Sequence, residues 1–196
     1  MTEQLTLRRY DAAESEGITE RLIDLYLEAH AGDGGFYSAD RYRRQLSAHR
    51  QRAGWVLITA TLAEELIGYV YGFPLAPDTR WWDGIEEPVP AGFTDEDGQR
   101  TFAICELLVR AAWRRQGVAR TLHDNLLGSR HEERMTLLAR PDNGPAQAAY
   151  RSWGWQTVTR LRPGWPDAPL FDILTYDSRK VCSPEWPPVA QGNPRP

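Results

Sequence analysis

The sequence predicts an α/β fold in which one sheet carries helices on both faces. Three observations lead there. Strand-like apolar runs alternate with helical stretches over most of the chain. Two of those runs, Trp55–Leu62 and Leu66–Phe73, are separated only by Ala63–Glu65, the natural reading of which is a hairpin. The most apolar run, Thr101–Arg110, passes directly through Ala111–Gly117 into a helix, Gln116–Leu127.

The remaining elements follow in order. Leu5–Tyr10 alternates weakly and opens the fold as a strand. Glu14–His30 places Ile18, Leu22, Leu25 and Ala29 at helical spacing, with Ser15 as its cap, and the glycines Gly32, Gly34 and Gly35 end it. Ser38–Arg50 is a second, Arg-rich helix. Pro74–Arg100 holds four prolines and no sustained periodicity, so it is a long loop of the kind that is often functional. Arg134–Arg140 is a strand. Asp142–Trp153 is a helix capped by Asp142 or Asn143, with Pro145 in its first turn and Gly154 behind it. Trp155–Leu161 and Leu170–Tyr176 complete the strands. These elements make residues 1–180 one domain, and the Pro-rich stretch 181–196 reads as a disordered tail.

Composition narrows the class. With 41% hydrophobic and 11% aromatic residues, the chain buries enough apolar surface to fold around a single core. A net charge of −4 argues against nucleic-acid binding. The basic residues are nearly all arginine, Lys180 being the only lysine, a bias that codon usage explains and that still supplies forked donors for phosphate wherever the arginines cluster. Cys105 and Cys182 are too few for a disulfide framework or a four-cysteine zinc site, and the histidines at 30, 49, 123 and 131 lack metal-ligand spacing. No signal peptide and no membrane-length apolar run is evident, so the expected setting is a reducing cytoplasm.

The chemistry concentrates at Arg114-Arg-Gln-Gly-Val-Ala119, between the apolar strand and the helix. A strand-to-helix turn exposes backbone N–H groups, and the helix start carries partial positive charge, so phosphates sit well there. Gly117 and Ala119 permit close approach, and Arg114, Arg115 and Arg120 add cations. Taken alone, the hexapeptide is equally a basic helix N-terminus without a ligand. Downstream, Asn143, Ala146 and Tyr150 are three and four residues apart and so share a helix face. Tyr150 by itself reads either as a proton donor or as a core aromatic.

The segment from Leu107 to Leu122 resembles the first signature of the GNAT superfamily of N-acetyltransferases, Arg/Gln-x-x-Gly-x-Gly/Ala, matching at Arg114, Gly117 and Ala119. Asn143 to Trp155 resembles the second, Asn-x-x-Ala-x-x-x-Tyr-x-x-x-Gly-Phe, with Trp155 in place of Phe. Both occur in the family's order, and the resemblance spans about residues 5–177. It implies a mixed, mostly antiparallel sheet of about six to seven strands. It also implies transfer of acetyl from acetyl-CoA to a primary amine by direct attack in a ternary complex. Under that reading Arg114, Arg115, Gln116, Gly117, Val118, Ala119 and Arg120 hold the coenzyme pyrophosphate, Leu107, Leu108 and Val109 pair with the pantetheine arm near a splay in the sheet, and Asn143 offers it an amide. A backbone N–H near Leu108 or Val109 polarises the thioester carbonyl, and Tyr150 protonates the departing thiolate. A non-catalytic acyl-CoA-binding regulator and a protein N-acetyltransferase remain alternatives, and a homodimer is common in the family.

The base is less determined. Glu106 stands on the strand before the turn. It reads as the amine's base, as a structural carboxylate, or as a bystander to a water-mediated route. Counting by twos puts Ala103, Cys105 and Leu107 on one strand face and Glu106 with Leu108 on the other, unless a bulge intervenes. Cys105 has no histidine placed to activate it. For the acceptor, Pro77–Arg100 carries seven acids (Asp78, Asp83, Glu86, Glu87, Asp95, Glu96 and Asp97) with Trp81, Trp82 and Phe93, a combination expected of a site for a cationic small molecule, to which Phe36, Tyr37 and Tyr42 add further aromatics.

Overall fold

In the computed structural model the described residues are 4–32, 37–164 and 168–178. The chain runs β1 (Thr6–Tyr10), α1 (Thr19–Ala29), α2 (Ala39–Arg50), β2 (Val56–Leu62), β3 (Glu65–Pro74), β4 (Thr101–Val109), α3 (Val118–Gly128), β5 (Arg134–Ala139), α4 (Gly144–Ser152), β6 (Gln156–Leu161) and β7 (Phe171–Asp177). The seven strands form one sheet in the order β1-β2-β3-β4-β5-β7-β6, antiparallel throughout except for the β4–β5 pair. The mixed, mostly antiparallel sheet expected from the sequence is therefore present. The stretch 181–196, read as a tail, lies outside the described residues, as do Gly34, Gly35 and Phe36.

Each face of the sheet buries its own cluster. On one, Leu22, Leu25 and Tyr26 of α1 and Tyr42 and Leu46 of α2 pack against Leu57, Tyr69, Tyr71 and Ala103. On the other, Val118, Leu122 and Leu126 of α3 pack against Ile58, Val70, Ile104, Met135 and Leu137, with Trp155 beside them. Apolar positions at i, i+3/i+4 and i+7 on each helix account for this division.

The N-terminal helix departs from its expected form. A 3₁₀ turn, Glu14–Ile18, precedes α1. Ser15 is no cap: it is buried, donates to the Ala12 carbonyl and accepts from Arg50 Nε. The reciprocal backbone–side-chain bonds belong to Asp11 and Glu14, the pattern of a capping box. The β2–β3 turn is tighter than expected, since Leu62 pairs with Glu65 and the two residues between them, Ala63 and Glu64, both have positive φ.

A bulge in β4 is the feature that shapes the site. Tyr71 pairs with Glu106 and Gly72 with Ile104, leaving Cys105 as the extra residue. Gly72 makes this possible: a Cβ there would lie 2.1 Å from the Ala103 carbonyl oxygen and 2.6 Å from the Phe102 ring. Both neighbours belong to the sheet core and cannot move aside. Gly72→Ala is expected to destabilise the fold by ~3 kcal/mol or more, to be measured as a drop in urea midpoint with an unchanged slope.

Candidate active site

The bulge reverses part of the face assignment made by counting in twos. Ala103 and Cys105 share the α1–α2 face with Leu108, and Glu106 joins them because the extra residue resets the alternation; Leu107 and Val109 fall on the α3 face with Phe102 and Ile104. Glu106 thereby faces α2, where Gln45 Nε2 donates to its Oε1 at 3.4 Å. Burial raises the Glu106 carboxyl from an ordinary 4.5 to about 8, and the Gln45 bond offsets this only in part. Four tyrosines surround it on that side. Tyr26 stacks on Tyr42 at 3.9 Å, the Tyr42 and Tyr69 hydroxyls are 2.7 Å apart, and Tyr71 Oη lies 3.1 Å from His49 Nδ1. Burial, and then Arg52, hold His49 down at about 4, so it is neutral at pH 7.

The splay expected in the sheet begins directly after the bulge. β4 pairs with β5 only over Thr101–Ile104 and Arg134–Leu137, so from Cys105 onward β4 has no ladder partner on its β5 side. The Arg110 N–H donates to the Ile67 carbonyl on β3. Strand alternation then turns the Leu108 amide toward β3 and those of Leu107 and Val109 toward the open edge. A cavity of about 870 Å³ occupies this opening; its lining includes Glu106, Leu107 and Leu108 from β4, Leu138 and Ala139 from β5, and Asn143, Ala146 and Tyr150 from α4. Asn143 caps α4 by accepting from the Ala146 N–H at 3.2 Å, which keeps the motif's asparagine at the cavity wall.

Tyr150 packs edge-on against Trp153 and Trp155, with ring centroids 5.5 and 5.8 Å away. Among the described residues its hydroxyl makes no hydrogen bond. Burial, and then the Glu106 charge, raise the phenol above its ordinary value, so at neutral pH it keeps its proton. Burial, then Glu106, likewise raise Cys105 well above its ordinary value, leaving it a thiol without an activating base. His123 is also structural: its Nε2 accepts from Trp155 Nε1 at 2.9 Å and its Nδ1 lies 2.7 Å from Asp124 Oδ1.

The Arg114–Arg120 turn lies on the α3 side of the sheet. Gly117 is the N-cap of α3, at φ 84°, with no side-chain cap, and a Cβ on it would meet nothing within 4 Å. The first intrahelical bond is Thr121 N–H to the Gly117 carbonyl, so the amides of Val118, Ala119 and Arg120 have no intrahelical acceptor. Arg115 also takes a positive φ, 60°. The side chains of this turn act differently from one another. Arg114 Nε returns to the Val109 carbonyl at 3.1 Å, Gln116 reaches the Ala112 carbonyl, and Arg120 pairs with Asp124 beneath Trp153. Arg115 has no ion pair among the described residues. The cradle is a bare helix N-terminus with space above it, and it suits a diphosphate.

The family model for the Acetyltransferase (GNAT) family matches residues 19–155. The chain belongs to the GNAT acetyltransferase family. As a GNAT enzyme it is an N-acetyltransferase whose acyl donor is acetyl-CoA. Solved structures agree on the fold. An acetyltransferase of the GNAT family from Staphylococcus aureus Mu50 matches with a TM-score of 0.64 at 12% identity, covering 89% of this chain and 99% of that one. The ribosomal-protein-S18-alanine N-acetyltransferase of Escherichia coli matches at 0.60 and 15%, over 89% and 94%. The PaiA N-acetyltransferase of Thermoplasma acidophilum, in complex with coenzyme A, matches at 0.57 and 11%, over 89% and 99%. No curated protein matches the chain. The GNAT donor fits the residues present: unspent amides at the α3 start face open space, and the backbone edge of β4 is unpaired beside the cavity.

The acidic loop does not serve the cavity of this GNAT enzyme as expected. Glu96, whose side chain is fully buried, accepts from Trp82 Nε1, Thr101 Oγ1 and Arg134 Nη2 and ties the loop to β4 and β5. Trp82 and Phe93 stack on Arg134. Asp97 caps the backbone of Gln99 and Arg100, and Glu86 faces Arg162. Of the seven acids only Asp83 lines the cavity, and it is paired with Arg80. Among the aromatics, Trp81 and Tyr37 reach the wall, whereas Tyr42 is buried behind it. Four of the seven acids, Asp83, Glu86, Glu96 and Asp97, are thus engaged within the protein. Gln45 and His49 were not legible as site residues; the only signal was their place on α2, on the stripe that also carries Arg41 and Arg44.

Proposed function

We propose that this GNAT enzyme acetylates a primary amine by direct attack in a ternary complex, with Glu106 as base and Tyr150 as acid. The observation that carries the reading is that both side chains line one cavity at the open edge of β4, where burial leaves Glu106 titrating at about 8 and keeps Tyr150 protonated well above that. Bound acetyl-CoA supplies an activated acetyl carbonyl. The α3 amides and Gly117 bind its diphosphate, and the open edge of Leu107 and Val109, with Asn143, orients the arm. The Val109 N–H holds the carbonyl oxygen as negative charge develops there. Glu106 takes the proton of the acceptor ammonium, a task suited to a base near pH 8 because an ordinary carboxylate is too weak to draw it. Tyr150, still protonated, gives its proton to the departing sulfur. The proposed setting is the cytoplasm.

Titration of acetyl-CoA into the purified protein, followed by thiol release across an amine panel, tests the reading; absence of acetyl-CoA binding sinks it. Tyr150→Phe is expected to lower kcat about tenfold with acetyl-CoA affinity unchanged. The effect is modest because a thiol of pKa ~8.5 leaves readily and needs little help. An unchanged rate would mean that the ring only packs.

A further inference from the structure

The cavity wall opposite β5 is built from α2, and its charge is opposite to that of the loop once expected to select the acceptor. Arg41, Arg44, Gln45 and His49 all line the cavity from α2, and Arg52 follows just beyond the helix end. Their spacing sets them on one stripe facing the opening. Neighbouring arginines on the same helix show what an occupied guanidinium looks like here. Arg43 is held by Glu20 and Asp40, and Arg50 by Ser15. Arg44 and Arg52, by contrast, have no carboxylate partner among the described residues. The acids in the lining do not balance them: Asp83 is taken by Arg80, and Glu106 is a single carboxyl.

This positive stripe is not the coenzyme's. It stands on the α1–α2 face of the sheet with Glu106, whereas the diphosphate cradle at Gly117 stands at the start of α3 on the opposite face. Its distance from the base is set by the helix. Gln45, whose amide touches Glu106, is the residue after Arg44 and one turn after Arg41, so the Cα atoms of these arginines lie within about 6 Å of rise of that of Gln45.

We infer that the acceptor is a small primary amine that also carries a carboxylate, with Arg44 receiving the carboxylate while Glu106 receives the ammonium. The inference rests on the acetyltransferase reading of the same cavity and adds its substrate class. Planar forked donors match a carboxylate. A second cation at that end of the acceptor meets repulsion instead.

The test uses three amines with one four-carbon chain and different far ends: 4-aminobutyrate, butylamine and putrescine, extended to glycine, β-alanine and 5-aminovalerate against their uncharged counterparts. Thiol release is followed at saturating acetyl-CoA. The carboxylated amines are expected to exceed the neutral ones in kcat/KM by about tenfold and putrescine by more. The preference is expected to shrink with added salt, as for an ion pair near water. Arg44→Glu, on an exposed position of α2, is expected to invert the order of 4-aminobutyrate and putrescine while leaving acetyl-CoA affinity unchanged. Equal or better use of butylamine or putrescine by the unaltered enzyme overturns the inference and leaves the acetyltransferase reading standing. Turnover of none of the amines also overturns it, and titration of acetyl-CoA into the same sample then shows whether the enzyme reading falls with it.

Discussion

Glu106→Gln is expected to lower kcat/KM about 100- to 1,000-fold and to flatten its pH dependence. The carboxyl is half-buried at the β4 bulge and titrates at about 8, so the unaltered enzyme gains its working base as pH rises through that value. The rate should climb from pH 6 to pH 9 and level off. Gln keeps the shape and accepts no proton, so the residual rate reports positioning alone. A retained pH rise near 8 would assign it to another group. Stability provides an independent check. A carboxyl raised in the folded state binds its proton there over a range where the unfolded chain has released it, so stability falls with rising pH between about 4.5 and 8. Glu106→Gln removes that loss. Thermal midpoints of the two proteins should be similar at pH 4, diverge in favour of the variant as pH rises from about 4.5 to 8, and stay apart above that. The base thus comes at a cost in stability, and a purely structural Glu106 would show the divergence in melting without the loss of rate.

Gly117→Glu is expected to weaken acetyl-CoA binding at least about 100-fold, corresponding to about 2.7 kcal/mol. Gly117 holds φ 84° at the N-cap of α3, and the space its missing Cβ leaves is empty of protein atoms. A glutamate there brings a negative charge against the unspent amides and competes with the diphosphate for them. It also strains the backbone, since a side chain in the left-handed region costs ~1–2 kcal/mol. Gly117→Asn separates the two effects. Asparagine tolerates the left-handed region and adds no charge, so it should retain most of the affinity. Titration calorimetry on the three proteins decides the matter: equal affinity in the glutamate variant would remove the diphosphate from this turn.

The structure bears out the local readings most directly. The turn before α3 and the capped start of α4 depend on residues within a few positions of one another: Gly117 for its backbone angle, Asn143 for its bond to Ala146, Pro145 for its fit in a first turn. The hairpin between β2 and β3 was legible for the same reason. Ser15 was misread as a cap because its partner, Arg50, lies 35 residues away on another helix. The face assignment along β4 failed at Cys105 because the bulge depends on Gly72 of the neighbouring strand, and no count along β4 registers what the next strand allows.

The sequence by itself determined the order of elements, the strand-to-helix turn at Gly117, the helix face that joins Asn143, Ala146 and Tyr150, and with them the family. Each is written in short-range spacing, which backbone geometry translates directly into position. Only the tertiary structure decided which way Glu106 faces, where the open edge of β4 begins, and what sign of charge the cavity presents. The acids of residues 77–100 read as one acidic surface, yet folding brought Arg134 to Glu96, while Arg44 of α2 has no carboxylate partner among the described residues. Charge in a sequence is a sum over residues, whereas charge in a site is what remains after distant partners have neutralised one another, and those pairings form only when the chain has packed.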